Sequence, residues 1–267
     1  MVKKLFKHEL HAYWRVLVPV WAILLSVATM GRVVQLFEQE NVFYNIVNVS
    51  SIVMYGVAVL VAIAFPVVYA VIRYYTNFFT GEGYLTFTLP TTPGRLLNVK
   101  ILTAVLMEII TLFVALLSGV VMMLGDVLVE VWKAGAYLWM KVGEEMGGHL
   151  PMLAVELLLL VLLSILYVTV FFETCINIGQ LFPKLRILAA VGVYFAVYIV
   201  EQTLVTIGII IMAFANVDLE TLSDFVNLHP YLTMHGAMWF ALILTAVMTV
   251  LWYWISRHIV TKRLNLE

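Results

Sequence analysis

Apolar positions along the chain gather into six long runs, roughly Val16–Phe37, Val49–Ile72, Ile101–Gly125, Met152–Phe172, Ile187–Phe214 and Gly236–Ser256. A helix rises 1.5 Å per residue and needs ~20 mostly apolar residues to cross ~30 Å of hydrocarbon. Each run supplies them. The runs are continuous rather than alternating over ~10 residues, so they predict helices and not barrel strands. The expected fold is an all-α integral membrane protein with six transmembrane helices. The intervals between runs leave no room for a soluble domain, so residues 1–267 read as one transmembrane domain. Residues 1–15 keep a different pattern. Val2, Leu5, Phe6, Glu9, Leu10 and Tyr13 recur at helical spacing, with Lys3, Lys4, Lys7 and His11 between them. This predicts an amphipathic interface helix on the membrane surface, with Lys3, Lys4, Phe6 and Lys7 as its marker residues. A merely solvated basic lead is the alternative. Ser26-Val27-Ala28 is a weak cleavage-like triplet, but the long, patterned polar lead argues against a secretory signal.

Composition narrows the class. Hydrophobic residues make up 64% of the chain and charged residues 12%, against ~45–50% and ~25% in soluble domains. The mean hydropathy is +1.04. Disordered, collagen-like and disulfide-scaffold chains are excluded, and a soluble enzyme is disfavoured. The net charge of −1 offers no bulk basic surface for nucleic acid. Cys175 is the sole cysteine, so no intrachain disulfide forms, and it reads as a small buried hydrophobe.

Charge asymmetry sets the orientation. With the N-terminus inside, the inner segments hold Lys3, Lys4, Lys7, Arg15, Arg73, Arg95, Lys100, Lys184, Arg186, Arg257, Lys262 and Arg263, while Arg32, Lys133 and Lys141 stay outside. The positive-inside rule then places both termini in the cytoplasm. On the outer side, residues 126–151 carry Trp132 and Trp139 among aliphatics and predict a short interfacial helix. Residues 215–235 form an outward cap or a partly re-entrant hairpin.

Several chemistries fail on their spacing. No phosphate-binding G-x-x-x-x-G-K-[ST] loop is present. His8-Glu9-Leu10-His11 spaces its histidines i, i+3 rather than the i, i+4 of a zinc protease helix. Glu144-Glu145-Met146-Gly147-Gly148-His149 has histidine where an intramembrane CAAX-type protease has arginine. The chain is therefore expected to be neither an enzyme nor a metal site, and to carry no cofactor of its own.

The inner segment 73–100 is the informative loop. It is too apolar for a solvated linker, since Phe78, Phe79, Tyr84, Leu85, Phe87 and Leu89 each lose ~1.5–3 kcal/mol if left in water. Gly81 and Gly83 permit sharp backbone changes. Thr91-Thr92-Pro93 offers a hydroxyl N-cap with proline at the first helical position, so the third helix is expected to begin near Pro93.

An acidic residue with glycine, a leucine-bearing stretch, Leu-Pro and then a lysine opening the next span form a pattern carried here by Glu82, Gly83, Leu85, Leu89, Pro90 and Lys100. It resembles the ABC-2 type permeases, the membrane subunits of ABC exporters. The stretch from Gly81 to Pro90 and the tail Lys262-Arg263-Leu264-Asn265-Leu266-Glu267 are similar to the permeases of Gram-positive bacteria, including exporters of phenol-soluble modulins and lantibiotics. The resemblance covers the six-span plan along the whole chain, whereas the large outer domain of FtsX-like exporters is missing. It implies a cytoplasmic coupling helix between spans 2 and 3 that docks on a separate ABC ATPase. Phe78, Phe79, Glu82, Gly83, Tyr84, Leu85, Phe87 and Pro90 would form that contact, flanked by the interface helix. It also implies two ATPase copies, ATP and Mg on those partners, and a second copy of this chain or a related permease. The location would be a bacterial plasma membrane, and the cargo amphipathic, antimicrobial or toxic peptides. The alternative for the loop is packing against its own spans.

Four ionisable residues fall inside the runs: Arg32, Glu108, Glu156 and Glu201. Each costs ~2.5–3.5 kcal/mol at a helix centre unless it is paired, hydrated or neutral. Arg32 and Glu156 lie at similar depth and are candidates for a structural pair. Glu201, followed by Gln202, Thr203 and Thr206, either lines a translocation path or bonds between helices. Two other functional classes stay open: an ATP-independent secondary transporter or channel using Glu108 or Glu201, and a polytopic membrane enzyme, receptor or immunity protein.

Overall fold

The computed structural model of the chain describes residues 2–37, 41–81, 83, 88, 91–145, 148–182, 184–214 and 230–262. Their regular structure is helical throughout. In chain order the helices are α1 (Val2–Leu36), α2 (Val42–Phe79), α3 (Pro93–Met122), α4 (Asp126–Glu145), α5 (Leu150–Gly179), α6 (Arg186–Phe214) and α7 (Pro230–Lys262). Among the described residues, six are long and apolar enough to cross a membrane, all but α4. The chain is a multi-pass membrane protein.

Helix boundaries run past the apolar windows. The expected interface helix and first span are one unbroken helix, α1, of 35 residues. At 1.5 Å per residue it is about 52 Å long, some 20 Å more than the hydrocarbon requires. Helix α2 begins at an Asn41 cap whose side-chain oxygen accepts from the Tyr44 backbone N–H. It then runs to Phe79, so the first part of the expected coupling loop is the end of a helix. The third span begins at Pro93 as expected, with Thr92 at the N-cap. The anticipated hydroxyl cap is not made: the Thr92 side chain bonds no helix N–H, and proline at N1 has already removed one orphan donor.

The chain divides into two compact units, residues 1–142 and 143–267. In the first, α1 packs on both α2 and α3, and α2 packs on α3. The contact face of α1 is a single stripe, Glu9, Tyr13, Leu17, Trp21, Leu24, Ala28 and Gly31. Steps of three and four keep these residues on one side of a helix. Tyr13, Leu17 and Trp21 form a core with Ala70, Ala104 and Met107, and Leu24 forms another with Ala62 and Ala115. Small residues on α3 let the large α1 side chains approach. Buried hydroxyls are satisfied within their own helices: Thr103 donates to the Val99 carbonyl, Thr111 to Met107 and Ser118 to Ala115. Such back-bonding removes the cost of an unpaired group where water is scarce. Two polar contacts then cross between helices. Trp21 Nε1 donates to Thr111 Oγ1 at 3.0 Å, and the Tyr55 and Ser118 hydroxyls meet at 3.0 Å.

In the second unit α5 packs on α7 and on α6. Thr174 donates to the Trp252 carbonyl at 3.1 Å, and Asn177 Nδ2 to Ser256 Oγ at 2.6 Å. Phe171 is ringed by Tyr167, Phe172, Tyr194 and Trp252 at 5.4–6.2 Å between centroids. Cys175 is buried beside this cluster's turn, as its hydrophobic role requires.

Helix α4 stands apart. It occupies the expected outer segment, and none of its described side chains is buried. Its sequence is strongly two-faced, with Leu128, Val131, Trp132, Gly135, Ala136, Trp139 and Met140 lining one side.

Candidate functional site

The most constrained polar group of the first unit is Glu9. It occupies a position in the α1 stripe where its neighbours are Tyr13 and Leu17, and it is 4% exposed. A carboxylate so placed needs cations, and two helices supply them. Arg73 Nε, near the end of α2, donates to Glu9 Oε2 at 2.8 Å. Lys100 Nζ, two turns into α3, donates to Oε1 at 2.8 Å. Asn77 Nδ2 adds a longer bond to Oε1 at 3.4 Å. Aromatic faces back both cations: the Tyr13 ring lies 5.9 Å from the Arg73 guanidinium, and the Phe78 ring 5.7 Å from the Lys100 ammonium. One carboxylate thus ties together the first part of α1, the end of α2 and the start of α3. Arg73 and Lys100 bracket the segment between α2 and α3 that the charge asymmetry predicts to lie inside.

The loop's own residues divide. Phe78 is fully buried, stacked on Tyr74 at 4.8 Å, so it is part of the unit's interior and not an outward anchor. Phe79 is half-buried with Tyr74 and Tyr75 rings 6.1–6.2 Å away. Gly83 is buried, and its N–H donates to the Thr80 carbonyl at 2.8 Å. A Cβ there would sit 2.5 Å from the Phe78 carbonyl oxygen, so glycine is required for this close turn. Glu82, Tyr84, Leu85, Phe87 and Pro90 lie outside the described residues. Of the interface-helix residues, Lys3, Lys4 and Lys7 are exposed and Phe6 is half-buried.

The four intramembrane charges find separate environments. Arg32 Nη1 donates to Gln35 at 3.2 Å, and its guanidinium rests against Gly125, which has φ +98. Glu156 is held within the second unit by His235, with Nδ1 and Oε2 at 2.8 Å. The second ring nitrogen of His235 faces His149 Nδ1 at 3.3 Å, and Tyr231 stacks on His149 at 4.7 Å. Glu108 is buried on α3. Glu201 is half-buried on α6 and accepts from the Tyr167 hydroxyl at 3.1 Å. This is the helix-to-helix alternative of its two readings, although partial exposure leaves the carboxylate accessible.

Glu9 is hard to single out from sequence, because it lies within an apolar stripe on a segment whose pattern predicts a surface helix. The available signal was the stripe itself, since a glutamate between Phe6 and Tyr13 on a buried face demands cationic partners. His149 and His235 lack any such periodic signal. Among the described residues no group of three or more His, Cys, Asp and Glu side chains could hold a metal ion. Comparison with protein-family models, with curated proteins and with solved structures finds no match.

Proposed function

We propose that the chain is the membrane-spanning subunit of an ATP-driven exporter of the ABC-2 type, coupled through its inner loop to a separate ATPase. Two copies, or this chain with a related permease, would form the path in a bacterial plasma membrane. Amphipathic or toxic peptides are the proposed cargo. The observation that carries this reading is the buried Glu9–Arg73–Lys100 cluster. A loop that merely connects two spans needs no buried ionic joint at both of its roots. A loop that receives force does, because displacement must pass to several helices at once rather than dissipate in one. Helices α1 and α2, at 35 and 38 residues, supply stiff extensions beyond the hydrocarbon. ATP-driven closure of the partner subunits would press on the loop and shift the helices between two arrangements.

In this reading Tyr84, Leu85 and Phe87 fill pockets on the ATPase, Glu82 orients the contact and Pro90 fixes the exit. Truncating a buried anchor commonly costs ≥ 2 kcal/mol, about thirtyfold in affinity. Tyr84→Ala with Leu85→Ala should leave the protein folded, weaken ATPase co-purification and abolish transport, while Glu144→Gln in α4 does neither. Full ATPase binding and transport in the double variant would sink the proposal. The Tyr167–Glu201 pair favours a second reading, a proton-coupled carrier. Transport that persists without ATP and collapses with the proton gradient would select it.

A further inference from the structure

Two buried carboxylates of the chain are held by bases of different kinds. Glu9 has an arginine and a lysine, both ordinarily charged at neutral pH. Glu156 has His235, and histidine is the side chain that ordinarily gains and loses its proton between about pH 5 and 8. The sequence spacing builds a row around this second pair. His149, at the N-cap of α5, and Glu156 lie about two turns apart, and Tyr231 and His235 about one turn apart on α7, so each pair shares a face of its helix. His235 fills the gap between the helices, with Nδ1 2.8 Å from Glu156 Oε2 and Nε2 3.3 Å from His149 Nδ1. Tyr231 stacks on the His149 ring, with 4.7 Å between centroids and 12° between planes, which fixes the direction of that ring.

Exposure falls along the row. His149 is half-buried and precedes the apolar run that begins at Met152, the His235 side chain is 13% exposed, and that of Glu156, within the run, is 3% exposed. The His149 ring makes no cap bond to α5. Neutral imidazole carries a proton on one nitrogen and a lone pair on the other, so two fillings of the row leave both contacts hydrogen-bonded. In the first, Glu156 is ionised, His235 Nδ1–H donates to Oε2, and His149 Nδ1–H donates to His235 Nε2. In the second, Glu156 is protonated and donates to His235 Nδ1, and His235 Nε2–H donates to His149 Nδ1. One proton separates the two. We propose that Glu156 is a proton-binding site, loaded from the aqueous end of α5 through His149 and His235. A hydronium proton bonds to His149 Nε2, the Nδ1 proton of His149 passes to His235 Nε2, and the Nδ1 proton of His235 passes to Glu156 Oε2. Three bonds to hydrogen form and three break, counting the one in hydronium, and the row goes from a net charge of −1 to neutral. Release runs back by the same steps. Helix α5 contributes Glu156 and His149 to this row, and α7 contributes His235 with the Tyr231 phenol beside it. On α6, which also packs on α5, Glu201 instead bonds Tyr167, about three turns beyond Glu156. The site needs no ATPase.

The test uses the full chain in phosphatidylcholine nanodiscs and follows the infrared carbonyl stretch of a protonated carboxyl, assigned to Glu156 by its absence in Glu156→Gln. The band should grow as pH falls from about 8 to 5. After a rapid drop in pH it should appear at least about tenfold faster in wild type than in His149→Phe, since a positioned proton-transfer group ordinarily contributes ~10²–10⁴-fold. Phenylalanine keeps a ring against Tyr231 and removes both nitrogens, so the final amplitude of the band should match wild type. Tyr231→Phe keeps the stack and every relay nitrogen and should load at the wild-type rate. Should His149→Phe fail to fold, His149→Gln gives the same comparison. Absence of a Glu156 band across the range overturns the proposal, and so does loading at the wild-type rate without His149. Equal slowing by Tyr231→Phe would assign the effect to packing and overturn the relay.

Discussion

Glu156 on α5 and His235 on α7, 79 residues apart, meet at 2.8 Å between carboxylate and imidazole, with the glutamate side chain 3% exposed. The contact joins the first part of α5 to the first part of α7, and His149 with its stacked Tyr231 extends it toward the helix ends. Glu156 Oε1 has no hydrogen-bond partner among the described residues, so His235 is what makes the buried carboxylate tolerable.

Removing that partner should be expensive. His235→Ala leaves a buried carboxylate uncompensated, for which about 3–5 kcal/mol is the ordinary cost. Glu156→Gln, which removes the charge and keeps an acceptor, should cost less. Thermal unfolding in detergent checks the order. Equal melting of His235→Ala and wild type would show that the contact holds nothing.

The Glu9 cluster predicts a non-additive response. Glu9→Ala leaves Arg73 and Lys100 facing each other and should destabilise more than Lys100→Met, which leaves Glu9 with Arg73. The double variant Glu9→Ala with Lys100→Met should lose less than the sum of the two single losses, with a coupling energy of about 1–3 kcal/mol. Additive losses in a double-mutant cycle would mean the three groups do not act together.

Phe78 and Tyr84 should separate cleanly although both belong to one aromatic stretch. Phe78→Ala empties a fully buried site and should cost about 3–5 kcal/mol of stability. Tyr84→Ala should melt near wild type and fail only in the ATPase assay. Interchanged phenotypes would overturn the proposed role of Tyr84.

Two glycines flank and occupy α4 with opposite expectations. Gly125 has φ +98, and the space of a Cβ is taken by the Arg32 guanidinium. Gly125→Ala should therefore destabilise by about 1–3 kcal/mol. Gly135 lies within the helix with nothing near its missing Cβ, so Gly135→Ala should raise stability by up to ~1 kcal/mol. Paired melts of the two variants decide it.

Orientation is checked with single cysteines in a Cys175→Ala background. Thr92, expected inside, is a suitable position because its side chain is exposed and makes no cap bond, and Ala134, expected outside, is exposed too. Impermeant thiol reagents applied to intact cells should label the cysteine at 134 and spare the one at 92. The reverse pattern would invert the topology.

Six spans were legible because burial in lipid imposes a length rule that composition alone can satisfy. Their ends were not. Lys3 to Arg15 and Arg73 to Phe79 are polar or aromatic enough to read as separate segments, yet backbone hydrogen bonding carries helices straight through them. Pro93 was readable as a start, since its ring forbids an earlier helical N–H. Polar partnerships were the least legible part. Helix rotation decides which side chains meet, and periodicity in a nearly uniform apolar run carries little rotational information. Glu201 found a tyrosine on α5 for the same reason. Glu9 alone sat in a stripe regular enough to betray its burial.

Two of the buried carboxylates, Glu9 and Glu156, differ in a way that has a consequence for biosynthesis. Glu9 has both cations available once Lys100 has been made, and it lies in the polar lead that need never enter hydrocarbon unpaired. Glu156 enters with α5 and meets His235 only when α7 follows, 79 residues later. At ~5–20 residues per second that interval is roughly 4–16 s. During it α5 carries an intramembrane acid worth about 2.5–3.5 kcal/mol against insertion. Membrane integration of the fourth span therefore depends on a chain segment not yet synthesised. Truncation before α7 should leave it the first to slip or be degraded.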